Sequence, residues 1–209
     1  MKTKSAARKV AILRAAASSF QENGFDGALM NDIAQRTPCS KVTLYAYFGS
    51  KEELFYAAVV QALDDQFHDL YTVLDDIASP VREVLTRFGE RFTSLVCSDD
   101  VKALRRLVMA ANGVGAGELQ RKCFDEGPRV ALRVCVAYFK AVSSQGALIV
   151  PDGHLAAIQL RALLEAEWLD SFFYNAAPKP TPSRVGLSVE RAVDAFLRVY
   201  GSSAICARD

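Results

Sequence analysis

A chain of 209 residues that is 51% apolar and 23% charged, with a formal net charge of +1, has the make-up of a folded globular protein and not of a disordered one. It is long enough for one large domain or for a small domain joined to a larger one. No stretch approaches the roughly eighteen uninterrupted apolar residues that a bilayer crossing needs. The basic start MKTKSAARKVAILRAAASSF is interrupted at helical spacing by Arg8, Lys9 and Arg14, unlike a signal-peptide core, so the expectation is an intact, soluble, cytoplasmic chain with no membrane partner.

The net charge is uneven. Residues 1–51 hold eight basic side chains (Lys2, Lys4, Arg8, Lys9, Arg14, Arg36, Lys41 and Lys51) against three acidic ones (Glu22, Asp26 and Asp32), a balance of +5 that leaves −4 for the rest. A basic head on a mildly acidic body points to a polyanion partner for the head, although a solvated face gives the same imbalance. The cysteines Cys39, Cys97, Cys123, Cys135 and Cys206 are odd in number and form no C-x-x-C pair, which argues against zinc spacing and a disulfide framework. Cys97, Cys123 and Cys135 lie in apolar helical patterns, where a small buried residue is the default, and a thiol sensor stays open. No metal and no cofactor are expected.

In chain order the patterning is helical almost throughout. Val10, Leu13, Ala17 and Phe20 form the apolar stripe of a first helix, about 5–23, closed by Asn23-Gly24 with Gly24 free to take a left-handed cap. A second helix, about 29–36, turns Met30, Ile33 and Ala34 inward and stops at Thr37-Pro38. Ser40 opens a third, through about Phe48, with Leu44 and Phe48 inward. Gly49 permits a tight turn, and Ser50 with Glu53 three residues later is a capping box for a long fourth helix, about 51–76. Further helices fit about 80–97, 100–112, 118–145, 152–174 and 187–201. Residues 112–117 form a glycine-rich break with neither the preceding strand nor the Gly-Lys-Ser/Thr of a phosphate loop. Residues 177–183 form a proline-rich linker that the pattern treats as non-helical. The fold class is all-α, with about nine helices.

Leu155, Ile158, Leu160, Leu163, Leu164, Trp168, Leu169, Phe172 and Phe173 surround nearly a whole helix, which must then be covered on most faces. The last helix adds Val189, Val193, Phe196 and Tyr200. Two such helices make a self-complementary dimer face about a two-fold axis, for which Leu155, Ile158, Leu169, Phe173, Val189, Val193, Phe196 and Tyr200 are the candidates; a fully buried core helix in a monomer is the alternative.

Residues 29–48 have the layout of a helix-turn-helix, whose second helix enters the major groove. Ser40, Lys41, Thr43, Tyr45 and Tyr47 put hydroxyls and an ammonium on the faces left after Leu44 and Phe48 turn inward, donors suited to phosphates and base edges. Lys51, beside the free amides that start the fourth helix, is placed for a phosphate.

Gly24-Phe25-Asp26, Met30-Asn31-Asp32-Ile33-Ala34 and the run from Ser40 to Phe55, SKVTLYAYFGSKEELF, resemble the DNA-binding domain of the tetracycline-repressor (TetR-type) family, over about residues 8–60. A weaker similarity to the ligand-binding half of one regulator subgroup covers about Leu104 to Val150. The resemblance implies an all-helical homodimer, with a helix-turn-helix domain over 1–50 and a ligand-binding and dimerisation domain over 51–209. It also implies that Cys39, Lys41, Val42 and Thr43 sit against base edges of operator DNA while Tyr45, Tyr47 and Lys51 hold phosphates. Three positions depart from the family pattern. Ala28 replaces the usual Ser/Thr cap, Pro38 replaces the turn glycine and cannot take its positive φ, and Val42 adds apolar bulk suited to a thymine methyl.

The implied activity is that of a regulator, in the family's usual case a repressor, released from an inverted-repeat operator by a small apolar or aromatic effector. Candidate pocket residues are Phe88, Phe92, Met109 and Asn112, with Phe124, Tyr138, Trp168 and Phe172; ordinary core packing is the default reading of each. No enzyme motif appears. A helical-bundle metalloenzyme would need more than the single carboxylate-imidazole pair Asp65 and His68, and a protein-interaction module without DNA binding would lack the steep salt dependence of duplex binding.

Overall fold

The computed structural model describes residues 2–37, 39–62, 64–110, 116–173 and 180–202, and among them no strand occurs. The protein is all-α, as the periodicity predicts. Its chain divides into two compact units, one made of residues 1–65 and 103–123 and the other of residues 66–102 and 124–209.

In the first unit α1 (Lys2–Gly27), α2 (Met30–Gln35), α3 (Lys41–Phe48) and α4 (Lys51–Ala62) follow the expected order. The buried stripe of α1 runs through Ile12, Leu13, Ala16 and Phe20 and leaves Val10 at the surface, a slight rotation from the stripe read in the sequence. At Gly24 the helix is broken by a positive φ (φ 69°, ψ 176°), a conformation open to glycine at no steric cost. The chain then turns so that Phe25 meets Phe20 and Phe55, with ring centroids 6.1 and 5.3 Å away, and Phe20 meets Phe55 edge-on at 4.8 Å. This aromatic cluster joins the end of α1 to α4, which packs along α1.

The expected long fourth helix is found as α4 and α5 (Asp64–Thr72), on either side of Leu63, which lies outside the described residues; a 3-10 turn, Val73–Asp75, follows. Next come α6 (Val81–Val96), α7 (Asp99–Ala110), α8 (Ala116–Glu126), α9 (Pro128–Ser144), α10 (Gly153–Glu165), α11 (Leu169–Phe173) and α12 (Pro182–Tyr200). Three expected boundaries are corrected. The helix read over 118–145 is two, because Gly127 is non-helical (φ −110°, ψ −92°) and Pro128 opens α9, a position where its missing N–H costs nothing. The helix read over 152–174 is interrupted between Glu165 and Leu169, where the Trp168 amide donates to the Glu165 carbonyl at 2.9 Å. Pro182 and Ser183, read as linker, are the first turn of α12, capped by Thr181, whose hydroxyl accepts from the Arg184 amide.

In the second unit α12 packs against α6 and α10, and α10 against α9. Leu85, Phe139, Leu160, Leu164, Phe196 and Leu197 are sealed inside, with Phe139 and Phe196 stacked at 5.2 Å. Helices α6, α10 and α12 meet at Gly89, where an added Cβ would come within 2.7 Å of Val189 Cγ1 and 2.8 Å of Leu164 Cδ2. Arg82 pairs with Asp194 across α6 and α12, and the Tyr200 hydroxyl donates to Gln159 Oε1. The turn before α6 is held by Asp76, whose carboxylate accepts from the Ala78 and Ser79 amides at 3.2 and 3.0 Å and from Arg87 at 2.6 Å. The Arg87 guanidinium and these amides hold the Asp76 carboxyl well below the ordinary carboxylate range.

Gly89→Val is expected to lower stability by about 1–3 kcal/mol through overpacking, read as a lower urea midpoint; an unchanged midpoint would show that the three helices part without cost. Because the folded pKa of Asp76 is depressed, its stabilising effect is complete above the ordinary value near 3.8 and fades as pH falls towards the folded value. Asp76→Asn should therefore be less stable than the parent at neutral pH, with the difference shrinking steadily below pH 4 in acid-unfolding curves.

Candidate functional site

Helix α3 has two unlike faces. Leu44 is 0% exposed and Phe48 is buried, whereas Val42 is 79% exposed and Ser40, Lys41, Tyr45 and Ala46 also face solvent. Thr43, Tyr47 and Cys39 are half-buried. Ser40 caps the helix: its Oγ accepts from the Thr43 amide at 3.2 Å and lies 2.9 Å from the Thr43 hydroxyl, so these two side chains hold one another in place. Cys39 Sγ lies 2.9 Å from the Thr37 hydroxyl, which donates to the Ala34 carbonyl. Pro38, the departure expected to reshape this turn, lies outside the described residues.

The surroundings position that helix. The first turn of α2 has no side-chain cap, since Leu29 occupies the N-cap position and Ala28 is buried. At the other end of α2, Arg36 forms a two-pronged bond to Glu22 of α1, at 3.0 and 2.7 Å; the pairing lowers the Glu22 carboxyl and raises the Arg36 guanidinium. This tie was not read in the sequence, where the two residues stand fourteen apart. Gly49, with φ 62°, turns the chain from α3 into α4, where Ser50 Oγ accepts from the Glu53 amide at 3.1 Å. Lys51, expected at a phosphate, donates to the Asp26 carbonyl at 3.2 Å and lies 4.6 Å above the Phe25 ring. It therefore clamps the Gly24 turn to the start of α4, and an ammonium has further donors beyond that one bond.

In the second unit a narrow apolar cleft lies among Phe88 and Phe92 of α6, Leu132 and Cys135 of α9, and Leu160 and Arg161 of α10. Of the pocket residues expected from the sequence, Phe88 and Phe92 line it. Met109 and Phe124 do not: they are 59% and 50% exposed. Tyr138 and Phe172 are buried elsewhere in the core, and burial pushes the Tyr138 hydroxyl pKa up. Trp168 is half-buried, with the Arg184 guanidinium 5.5 Å from its ring centroid. Asn112 lies outside the described residues. Leu132, Cys135, Leu160 and Arg161 were missed; the only sequence signal for them was their helical spacing on α9 and α10. Burial pushes the Cys135 thiol up to about 12, so it stays protonated and acts as a small apolar group.

The expected dimer face splits in the same way. Leu155, Ile158 and Leu169 are exposed, and the Phe173 side chain lies outside the described set. Val189, Val193 and Phe196 are 0% exposed and Tyr200 is buried, which corrects their assignment: α12 has one apolar stripe, and its own core uses it. The apolar side chains that α12 leaves at the surface are Leu187 and Val199. No helix among the described residues is long and apolar enough to cross a membrane. His68 and His154 are exposed, and no group of three potential metal ligands occurs among the described residues; the Asp65 side chain lies outside them.

Residues 12–58 match the family described as bacterial regulatory proteins, tetR family, and residues 83–202 match the one described as AefR-like transcriptional repressor, C-terminal domain. Over 72 residues, 34% of either chain, the protein is 40% identical to the HTH-type transcriptional regulator RutR of Escherichia coli (strain K12); the match thus spans about a third of the length of that curated relative. A solved TetR-family transcriptional regulator from Mesorhizobium loti MAFF303099 superposes with a TM-score of 0.81 at 26% identity, covering 94% of this chain and 98% of that one. A TetR transcriptional regulator from Agrobacterium tumefaciens shares the fold, with a TM-score of 0.68 at 20% identity over 96% and 97% of the two chains.

The unlike faces of α3 set a stability contrast. Val42→Ala should shift the unfolding free energy by no more than about 0.5 kcal/mol, as at most surface positions, while Leu44→Ala should cost about 2–5 kcal/mol. Comparable losses from both in chemical denaturation would mean that the outward face of α3 is packed in solution.

Proposed function

Because the chain belongs to the tetR family of bacterial regulatory proteins, we propose that this transcriptional regulator is a cytoplasmic repressor that grips an inverted-repeat operator as a homodimer and lets go when a small apolar or aromatic molecule binds. One observation carries the reading: α3 seats Leu44 and Phe48 in the protein while Lys41, Val42 and Tyr45 stand clear of it. A helix held by one side and bare on the other can enter a major groove without unfolding anything.

The roles follow from chemistry and position. Lys41 and Thr43 present an ammonium and a hydroxyl to base edges, with Cys39 and Ser40 beside them at the start of the helix, and Val42 offers its methyls to a thymine. Tyr45 and Tyr47 hold phosphates through their hydroxyls, and Lys51 does so with the donors its Asp26 bond leaves over. Residues 1–50, with Lys51 at the start of α4, carry the DNA contacts, and the rest of residues 51–209 carries the effector and dimer contacts. Leu155, Ile158 and Leu169, joined by Leu187 and Val199, supply the apolar surface for the second subunit. Ligand in the helical bundle releases DNA by favouring a conformer in which the two copies of α3 no longer match grooves about 34 Å apart. No catalytic role is assigned to the chain.

Genomic fragments retained by the purified protein would supply the operator. On it, Tyr47→Ala should weaken binding to every sequence alike, while Lys41→Ala and Thr43→Ala should change which bases are preferred. Affinity should fall steeply and log-linearly with salt. Equal losses on all sequences from all three variants, or binding indifferent to salt, would refute the assignment.

A further inference from the structure

Helix α4 is buried on more than one side. Leu54, Phe55 and Tyr56 are consecutive and all buried, and at about 100° per residue they span more than half of the helix circumference. A helix apolar over so wide an arc needs cover from more than one neighbour. Phe55 faces Phe20 and Phe25 at the end of α1. Tyr56, one step further round, meets Lys122 of α8, whose Nζ lies 5.5 Å from the ring centroid. Lys122 belongs to residues 103–123, which cluster with α1 to α4 although the chain on both sides of them belongs to the second unit. Within that stretch α8 is tied to α7 by Gln120 Nε2, which donates to the Val108 carbonyl at 3.1 Å.

We propose that Lys122 is a positioning residue for DNA binding: seated on Tyr56, it holds α4, and with it α3 and Lys51, in the placement that a groove accepts. The inference rests on the DNA-binding reading above and adds to it a residue that touches no DNA. A cation over an aromatic face is attracted by the ring's quadrupole, more strongly where protein excludes water, and the buried Tyr56 ring offers such a face. Helix α4 follows directly on the Gly49 turn that ends α3, so a change in its placement is passed on to α3. Without the seat a smaller fraction of molecules holds the competent placement, and apparent affinity falls with that fraction. A contact of this kind supplies roughly a two- to fivefold bias per subunit, hence about four- to twenty-five-fold for two subunits on one operator.

The test uses the full-length protein and the single variants Lys122→Gln, Lys122→Arg and Arg121→Gln. Arg121 is the exposed neighbour of Lys122, so its variant removes the same charge without touching the seat. On a DNA fragment retained by the parent protein, Lys122→Gln should lose about four- to twenty-five-fold in affinity, whereas Lys122→Arg and Arg121→Gln should stay within about twofold. The salt slope of Lys122→Gln should match the parent's, because no phosphate contact is lost. Without DNA, amide hydrogen exchange over residues 51–62 should be about two- to fivefold faster in Lys122→Gln than in Arg121→Gln. Equal affinities of the two glutamine variants, a shallower salt slope in Lys122→Gln, or equal exchange in the two overturns the proposal. A parent protein that retains no DNA would remove the regulator reading instead, and the exchange measurement would then decide by itself whether Lys122 holds α4.

Discussion

The seating of Leu44 and Phe48 is the contact on which the geometry of α3 depends. Helix α3 is eight residues long, far below the roughly 12–15 that an isolated helix needs to be even marginal in water. Its shape therefore comes from tertiary contacts: two apolar side chains one turn apart on its inner face, a serine cap at its start and a glycine turn at its end. With those in place, the side chains on the other face need no partners from the protein. The floor beneath it is equally specific. Glycine geometry at position 24 lets Phe25 fold back onto Phe20 and Phe55, and Lys51 closes the turn by lying over Phe25 and bonding the Asp26 carbonyl.

The second unit is organised by a competition for apolar surface. A single amphipathic helix has one stripe to give. In α12 it is spent against Gly89, Leu164 and Phe139 and their neighbours. What it leaves exposed is narrower, Leu187 and Val199, while α10 leaves Leu155 and Ile158 exposed, and Arg191 of α12 makes a two-pronged bond to Glu167 at 2.9 and 2.7 Å. That pair is largely solvent-exposed and contributes little energy. Its effect is to fix the direction of two otherwise mobile side chains between α12 and the end of α10.

Much of this architecture was legible from residue spacing. The helix-turn-helix boundaries, the break at Gly24, the inward Leu44 and Phe48 and the Ser40 and Ser50 caps all follow from local rules that act within about four residues. Contacts between residues far apart in sequence were not legible: the Arg36–Glu22 tie, the Lys51 clamp and the joint lining of the cleft by α6, α9 and α10. Proline was misjudged because its effect depends on position, destructive inside a helix and harmless in its first turn, as Pro128 and Pro182 show. Residue type alone points aromatic side chains such as Phe124 to a pocket, whereas burial depends on which way the helix is turned.

Fold and sequence preference are consequently separable in the first unit. The inward residues of α3 cannot change without loss of stability, because their environment is already full. The outward ones touch little of the protein, so substitutions there act mainly on what approaches from outside. The uncapped start of α2 at Leu29 fits the same logic: a missing cap weakens the supporting helix, but the Arg36 bridge to α1 holds its far end and keeps the floor under α3 in register. A surface built this way can take a valine at position 42 without disturbing the packing that holds it.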